Sequence, residues 1–70
     1  MSITTEQRNE IILSMVVRLK MIGTASALCV DLISSGVDVK LVHMLEDAAI
    51  AFLNKYPNFD PFLGDRFWSP

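Results

Sequence analysis

The side chains able to do chemistry are few in this 70-residue chain, and their spacing does not favour an active site. Cys29 is the only cysteine and His43 the only histidine, so one chain cannot supply the four nitrogen or sulfur ligands of a structural zinc ion. Glu46 and Asp47 are adjacent, and adjacent residues on a helix point about 100° apart, so they cannot form a carboxylate pair by themselves. We therefore predict no enzymatic activity, no metal and no cofactor, with His43 as a partly exposed structural residue.

The single cysteine bears on the compartment more than on catalysis. An internal disulfide is impossible, and a chain without disulfides is typical of a reducing compartment. We expect Cys29 to be a small, buried apolar residue, with an intermolecular disulfide or a reactive thiol as the alternative. The polar N-terminus does not have the pattern of a signal peptide, so the sequence predicts a cytoplasmic protein.

The charge balance argues against a nucleic-acid partner. The net charge is −2 and the isoelectric point is about 5.0, whereas a nucleic-acid surface needs a basic stripe to neutralise phosphates. A helix-turn-helix DNA reader is the least favoured alternative, because its second helix would offer Lys40 followed by Glu46 and Asp47. The basic residues are scattered along the chain: Arg8, Arg18, Lys20, Lys40, Lys55 and Arg66.

One segment, residues 11–33, is apolar enough to raise the question of a membrane span. Arg18, Lys20 and Asp31 interrupt it. Three charges within about twenty residues cost several kcal/mol on insertion, so we predict a soluble helix and no membrane.

The spacing of apolar residues predicts an all-α chain that begins with one long helix over about residues 4–34. Thr4 and Gln7 fit a capping box at its start. Gly36 follows its end, where glycine commonly stops a helix. Gly23 is a weak point inside it, and whether the helix is broken there stays open.

A second helix is predicted over about residues 38–55. Asp38 is a favourable N-cap residue, and Pro57 prevents the helix from continuing. The connection between the two helices is short, so they are expected to pack antiparallel as a helical hairpin. The chain therefore forms a single domain, with residues 57–70 as a proline-containing tail.

The unequal helix lengths predict an oligomer. The second helix is expected to cover only the C-terminal half of the first, and 51% of the residues are hydrophobic, which is more than one small monomer readily buries. We expect a homodimer that forms a four-helix or intertwined bundle. The candidate interface residues are Ile12, Met15, Val16, Leu19, Met21, Ile22, Leu28 and Leu32.

Every aromatic residue lies in the last nineteen positions. One interpretation is that the tail folds back and completes the core; the other is that it presents aromatic side chains to a partner. Burial is expected to be graded, with Phe59 nearer the core and Trp68 nearer the partner. The candidate partner-binding residues are Tyr56, Phe59, Phe62, Phe67 and Trp68.

These patterns favour a small acidic helical interaction protein, a homodimeric regulator or inhibitor that binds a larger protein. In length, charge and helical format the chain resembles the short acidic helical proteins that bacteriophages encode to block host factors such as transcription activators. The alternative is a structural or assembly subunit of a larger complex, in which other subunits permanently cover the apolar stripe.

Overall fold

The computed structural model describes residues 3–60, and within that range the chain is all-helical. The helices are α1 (Thr5–Ile22), α2 (Ser26–Ser34) and α3 (Val39–Lys55). The all-α prediction is confirmed, but the prediction of two helices is wrong because the expected helix over residues 4–34 is divided into α1 and α2.

The division occurs at Gly23. This residue adopts the left-handed conformation, with φ 79° and ψ 1°, and its amide donates to the Leu19 carbonyl at 3.1 Å. A glycine in this conformation commonly ends a helix, because it has no Cβ to clash. Thr24 then accepts the Ser26 amide on its hydroxyl at 3.1 Å and so supports the first turn of α2. The glycine therefore terminates α1, and the chain can change direction before α2.

Local capping fixes the starts of α1 and α3. The Thr4 hydroxyl accepts the Gln7 amide at 3.1 Å, while the Gln7 side chain accepts the Thr4 amide at 2.9 Å. The Asp38 carboxylate accepts the Lys40 amide at 2.7 Å at the start of α3. Both predicted caps are confirmed, since each satisfies backbone donors that have no partner within the helix.

The core lies mainly between α1 and α3. This pairing differs from the expectation that α3 would cover the C-terminal half of a long first helix. The break at Gly23 separates α2 from α1, so α3 packs against α1 and α2 packs beside α3. The buried residues are Met15, Val16, Ala25, Val37, Val42, Leu45, Ala49 and Phe59.

Candidate interaction surface

The second helix is the only one of the three described helices without a buried residue. Six of its nine residues are apolar, but none of the nine, all of them described, is buried. Leu28, Cys29 and Leu32 are half-buried, whereas Val30 is 60% exposed and Ile33 is 38% exposed. A helix this apolar is normally buried on most sides, so α2 presents an open apolar face.

One contact orients α2 against α3. The Cys29 thiol donates a hydrogen bond to a carboxylate oxygen of Glu46, with Sγ and Oε2 3.6 Å apart. Burial raises the pKa of the Cys29 thiol, and the nearby Glu46 charge and the hydrogen bond raise it further. The thiol is therefore a protonated donor at neutral pH, which makes it a poor nucleophile. The prediction that Cys29 is buried holds only in part, because the residue is half-buried.

The contact also identifies which side of α3 lies next to α2. Val39 and His43 lie seven and three residues before Glu46, and Ile50 lies four residues after it. Helical spacing therefore places all three on the same edge of α3 as Glu46. Val39 is 46% exposed and Ile50 is 44% exposed. An apolar edge of α3 therefore remains uncovered beside α2.

The matching edge of α2 follows in the same way. Ile33 lies one turn after Cys29, and Val30 lies one turn before Ile33. The short connection between α2 and α3 favours an antiparallel pairing, and in that pairing helical spacing places these two edges on one surface. We call this surface the α2/α3 face; its large apolar residues are Val30, Ile33, Val39 and Ile50.

Charges of both signs border this face on α3. Lys40 and Asp47 are exposed and lie seven residues apart, which is about two helical turns on one side of the helix. His43 is exposed between them and the apolar edge. The rim of the α2/α3 face therefore has a basic end and an acidic end.

The predicted interface residues fall into three groups. Met15 and Val16 are 0% and 1% exposed within the single chain, because α3 packs on their side of α1, so they belong to the core instead of an open stripe. Met21 and Ile22 are 58% and 64% exposed at the C-terminal end of α1. The half-buried remainder packs against the core: Ile12, Leu19, Leu28 and Leu32.

The predicted partner-binding aromatics are described only as far as Phe59. Phe59 is 1% exposed, with its ring edge-on to Phe52 at a centroid distance of 5.4 Å. Tyr56 is half-buried, and its ring centroid lies 4.9 Å from that of Phe52. The expectation that Phe59 lies in the core is confirmed. The other candidates lie outside the described residues: Phe62, Phe67 and Trp68.

The four residues of the α2/α3 face were not among the predicted site residues. Val39 and Ile50 carry the signal that sequence alone offers, because both are large apolar residues that fall outside the buried stripe of α3. That stripe is Val42, Leu45 and Ala49. Val30 and Ile33 carry no such signal, since their exposure depends on how α2 packs.

Few findings bear directly on a biochemical class. Within residues 3–60 no group of three or more His, Cys, Asp or Glu side chains is placed to hold a metal ion. None of the helices in that range is long and apolar enough to cross a membrane. No protein-family model, curated protein or solved structure matches the chain.

Proposed function

We propose that this protein is a small acidic interaction protein that forms a homodimer and regulates or inhibits a larger protein. The observation that supports the proposal is α2, an apolar helix with no buried residue. A nine-residue helix is too short to be stable by itself in water, so its stability depends on packing. In the single chain that packing covers one side of α2 only, and a second protein surface would cover the other.

Scattered apolar residues on a protein surface need no explanation, but a group on one face does. Val30 and Ile33 of α2 and Val39 and Ile50 of α3 are exposed, and helical spacing groups them on such a face. Exposed apolar surface rimmed by polar residues is typical of protein–protein interaction sites. The grouping therefore favours a binding function.

The state of the thiol also favours binding over catalysis. Cys29 donates to Glu46, and its pKa is raised, mainly by burial. A catalytic cysteine needs the opposite shift, because the thiolate is the nucleophile. The one nucleophilic side chain that the sequence singled out is thus used to hold α2 against α3.

The alternative function, a structural subunit of a larger assembly, is favoured by a different observation. Met21 and Ile22 expose a second apolar pair at the end of α1. A subunit between two neighbours needs two apolar surfaces on its helices, whereas the proposed homodimer needs one there and binds the larger protein through candidate residues of the tail such as Trp68. The two functions differ in whether the larger protein is bound permanently.

The homodimer is tested by its mass in solution. Size-exclusion chromatography with light scattering at micromolar concentration is expected to give twice the 7.8 kDa mass of the chain. A folded protein that stays at 7.8 kDa would contradict the homodimer.

The larger partner is tested by photo-crosslinking in the cells that produce the protein. A benzophenone analogue of phenylalanine replaces Trp68, a candidate partner-binding residue, and in a control it replaces the exposed Glu6 at the start of α1. A discrete larger product is expected only from position 68. Equal products from both positions, or none, would contradict a specific target. Recovery only within a complex of fixed stoichiometry would favour the assembly subunit.

A further inference from the structure

We propose that the α2/α3 face is where the second copy of this chain docks, with the two copies related by a twofold axis and their α3 helices antiparallel. This inference rests on the proposed homodimer and specifies its geometry. It assigns the interface to residues that the apolar pattern of α1 does not contain.

The apolar part of the face suits contact with an identical surface. In a twofold contact each residue near the axis meets its own copy or a close neighbour. Four branched aliphatic side chains can line such a contact without placing like charges together, and they leave little polar surface to desolvate. These residues are Val30, Ile33, Val39 and Ile50.

The charged rim of α3 is complementary to itself in only one orientation. Lys40 and Asp47 are two turns apart, and the point midway between them lies between His43 and Met44. If two α3 helices pack antiparallel about this midpoint, Lys40 lies opposite the partner's Asp47, and the same pair forms again on the other side. A parallel arrangement would oppose like charges, which is unfavourable.

The spacing on α2 gives the same axis independently. The hydrogen bond from Cys29 to Glu46 joins the two helices, and in an antiparallel pairing of α2 and α3 it sets these two residues at about one level. On α3, the point midway between Lys40 and Asp47 lies two to three residues before Glu46. On α2, the point midway between Val30 and Ile33 lies two to three residues after Cys29. Both midpoints are therefore at one level of the hairpin. The axis that pairs the charges also places Val30 opposite the partner's Ile33.

This shared centre favours a second copy of the chain as the occupant of the face. A foreign helix could cover the apolar residues, but it would not require the charge spacing on α3 and the apolar spacing on α2 to share one centre. A twofold homodimer does require it.

Two charge reversals test the orientation. Lys40→Glu places Glu against the partner's Asp47, and Asp47→Lys places Lys against the partner's Lys40, so each variant alone is expected to self-associate roughly tenfold more weakly than wild type. Mixed together, the two variants restore opposite charges at both contacts. The mixture is expected to form a one-to-one heterodimer about as tightly as the wild-type homodimer.

Native mass spectrometry measures this outcome, because the two variants differ in mass and the heterodimer is resolved from both homodimers. A mixture that associates no better than the separate variants would overturn the antiparallel arrangement. So would single variants that dimerise as tightly as wild type.

A matched pair of substitutions tests the apolar centre. Val30→Asp puts a charge at the proposed axis, and Met21→Asp puts the same charge on α1 at nearly equal exposure, 58% against 60%. Val30→Asp is expected to abolish the dimer while circular dichroism shows the helices intact. Met21→Asp is expected to leave the dimer unchanged.

The outcomes separate this inference from the proposed function. A wild-type monomer would contradict the homodimer and the docking face together. A wild-type dimer that survives Val30→Asp and both charge reversals would overturn the docking face alone. In that case loss of the dimer on Met21→Asp would place the interface at the end of α1.

Discussion

Phe59→Ala is expected to destabilise the fold strongly, although Phe59 follows the last helix. The side chain is 1% exposed and its ring packs edge-on against Phe52, with centroids 5.4 Å apart. Replacing a buried phenylalanine by alanine typically costs about 3–5 kcal/mol. At ~0.05–0.15 kcal/mol per residue, a chain of this length has about 4–10 kcal/mol of stability in total. The substitution therefore removes about 30% or more of the free energy of unfolding.

Thermal and urea unfolding followed by circular dichroism measure the effect. All variants are compared at one protein concentration, because a dimer makes the melting temperature depend on concentration. At about 4–8 °C per kcal/mol for a domain this small, Phe59→Ala should lower the midpoint by ~12 °C or more. Asn58→Ala is the control, since the neighbouring side chain is exposed, and it should stay within about 0.5 kcal/mol of wild type.

Two results would refute the reasoning. If Phe59→Ala unfolds within about 1 kcal/mol of wild type, the ring contributes little to the core, contrary to its burial. If Asn58→Ala costs as much as Phe59→Ala, the stability comes from the backbone turn, in which the Phe59 amide donates to the Tyr56 carbonyl at 3.1 Å. Phe59→Leu, which keeps most of the buried volume, should cost clearly less than Phe59→Ala.

Four further predictions concern single positions. Thr4→Ala should cost about 1 kcal/mol in urea unfolding, because it removes half of the capping box. Gly23→Ala should cost about 1–2 kcal/mol of unfolding free energy because alanine is strained at φ 79°. An added Cβ meets no atom within 4 Å, so no steric clash adds to this cost. An increase in stability would contradict the prediction. Because the pKa of the Cys29 thiol is raised in the folded state, the stability linked to its protonated form is lost as pH rises through the folded-state pKa. Glu46→Gln should lower that pKa and therefore speed alkylation of the Cys29 thiol at mildly alkaline pH. Trp68→Ala, outside the described residues, should weaken partner binding more than it lowers the melting temperature.

The helix ends could be predicted from sequence because the groups that set them are local. Thr4 and Gln7 satisfy each other across three residues, and Asp38 accepts an amide two residues later. Interactions over so short a distance depend little on the rest of the fold. The predicted start of α1 and both ends of α3 were therefore within about one residue of those in the structure.

The break after α1 was harder to predict because apolar residues continue through it. Ile22, Ala25 and Cys29 keep a helical spacing of threes and fours across Gly23, and a glycine within such a pattern is often tolerated. Whether the helix ends at Gly23 depends on whether α1 and α2 gain more free energy by packing separately than by continuing as one helix. That gain comes from contacts with α3, which are distant in sequence.

The candidate docking face depends on the same long-range pairing. On α3 the exposed apolar residues could have been found, because Val39 and Ile50 fall outside the stripe that contains Val42 and Ala49. On α2 nearly every side is apolar, so periodicity does not distinguish a covered side from an open one. The Cys29–Glu46 contact makes that distinction, and it exists only once α2 and α3 have paired.

The break at Gly23 connects the fold to the proposed docking geometry. An uninterrupted helix over residues 4–34 would run for about 45 Å, and α3 could cover only part of it. With the break, Met15 and Val16 are covered by α3, and α2 is left at the side of α3 with one face open. Much of the exposed apolar surface therefore lies on α2 and the neighbouring edge of α3, and only Met21 and Ile22 expose a large apolar pair on α1 within the described residues. A second copy that packed there would cover the helix that the single chain leaves exposed, whereas the buried residues between α1 and α3 are already covered within each chain.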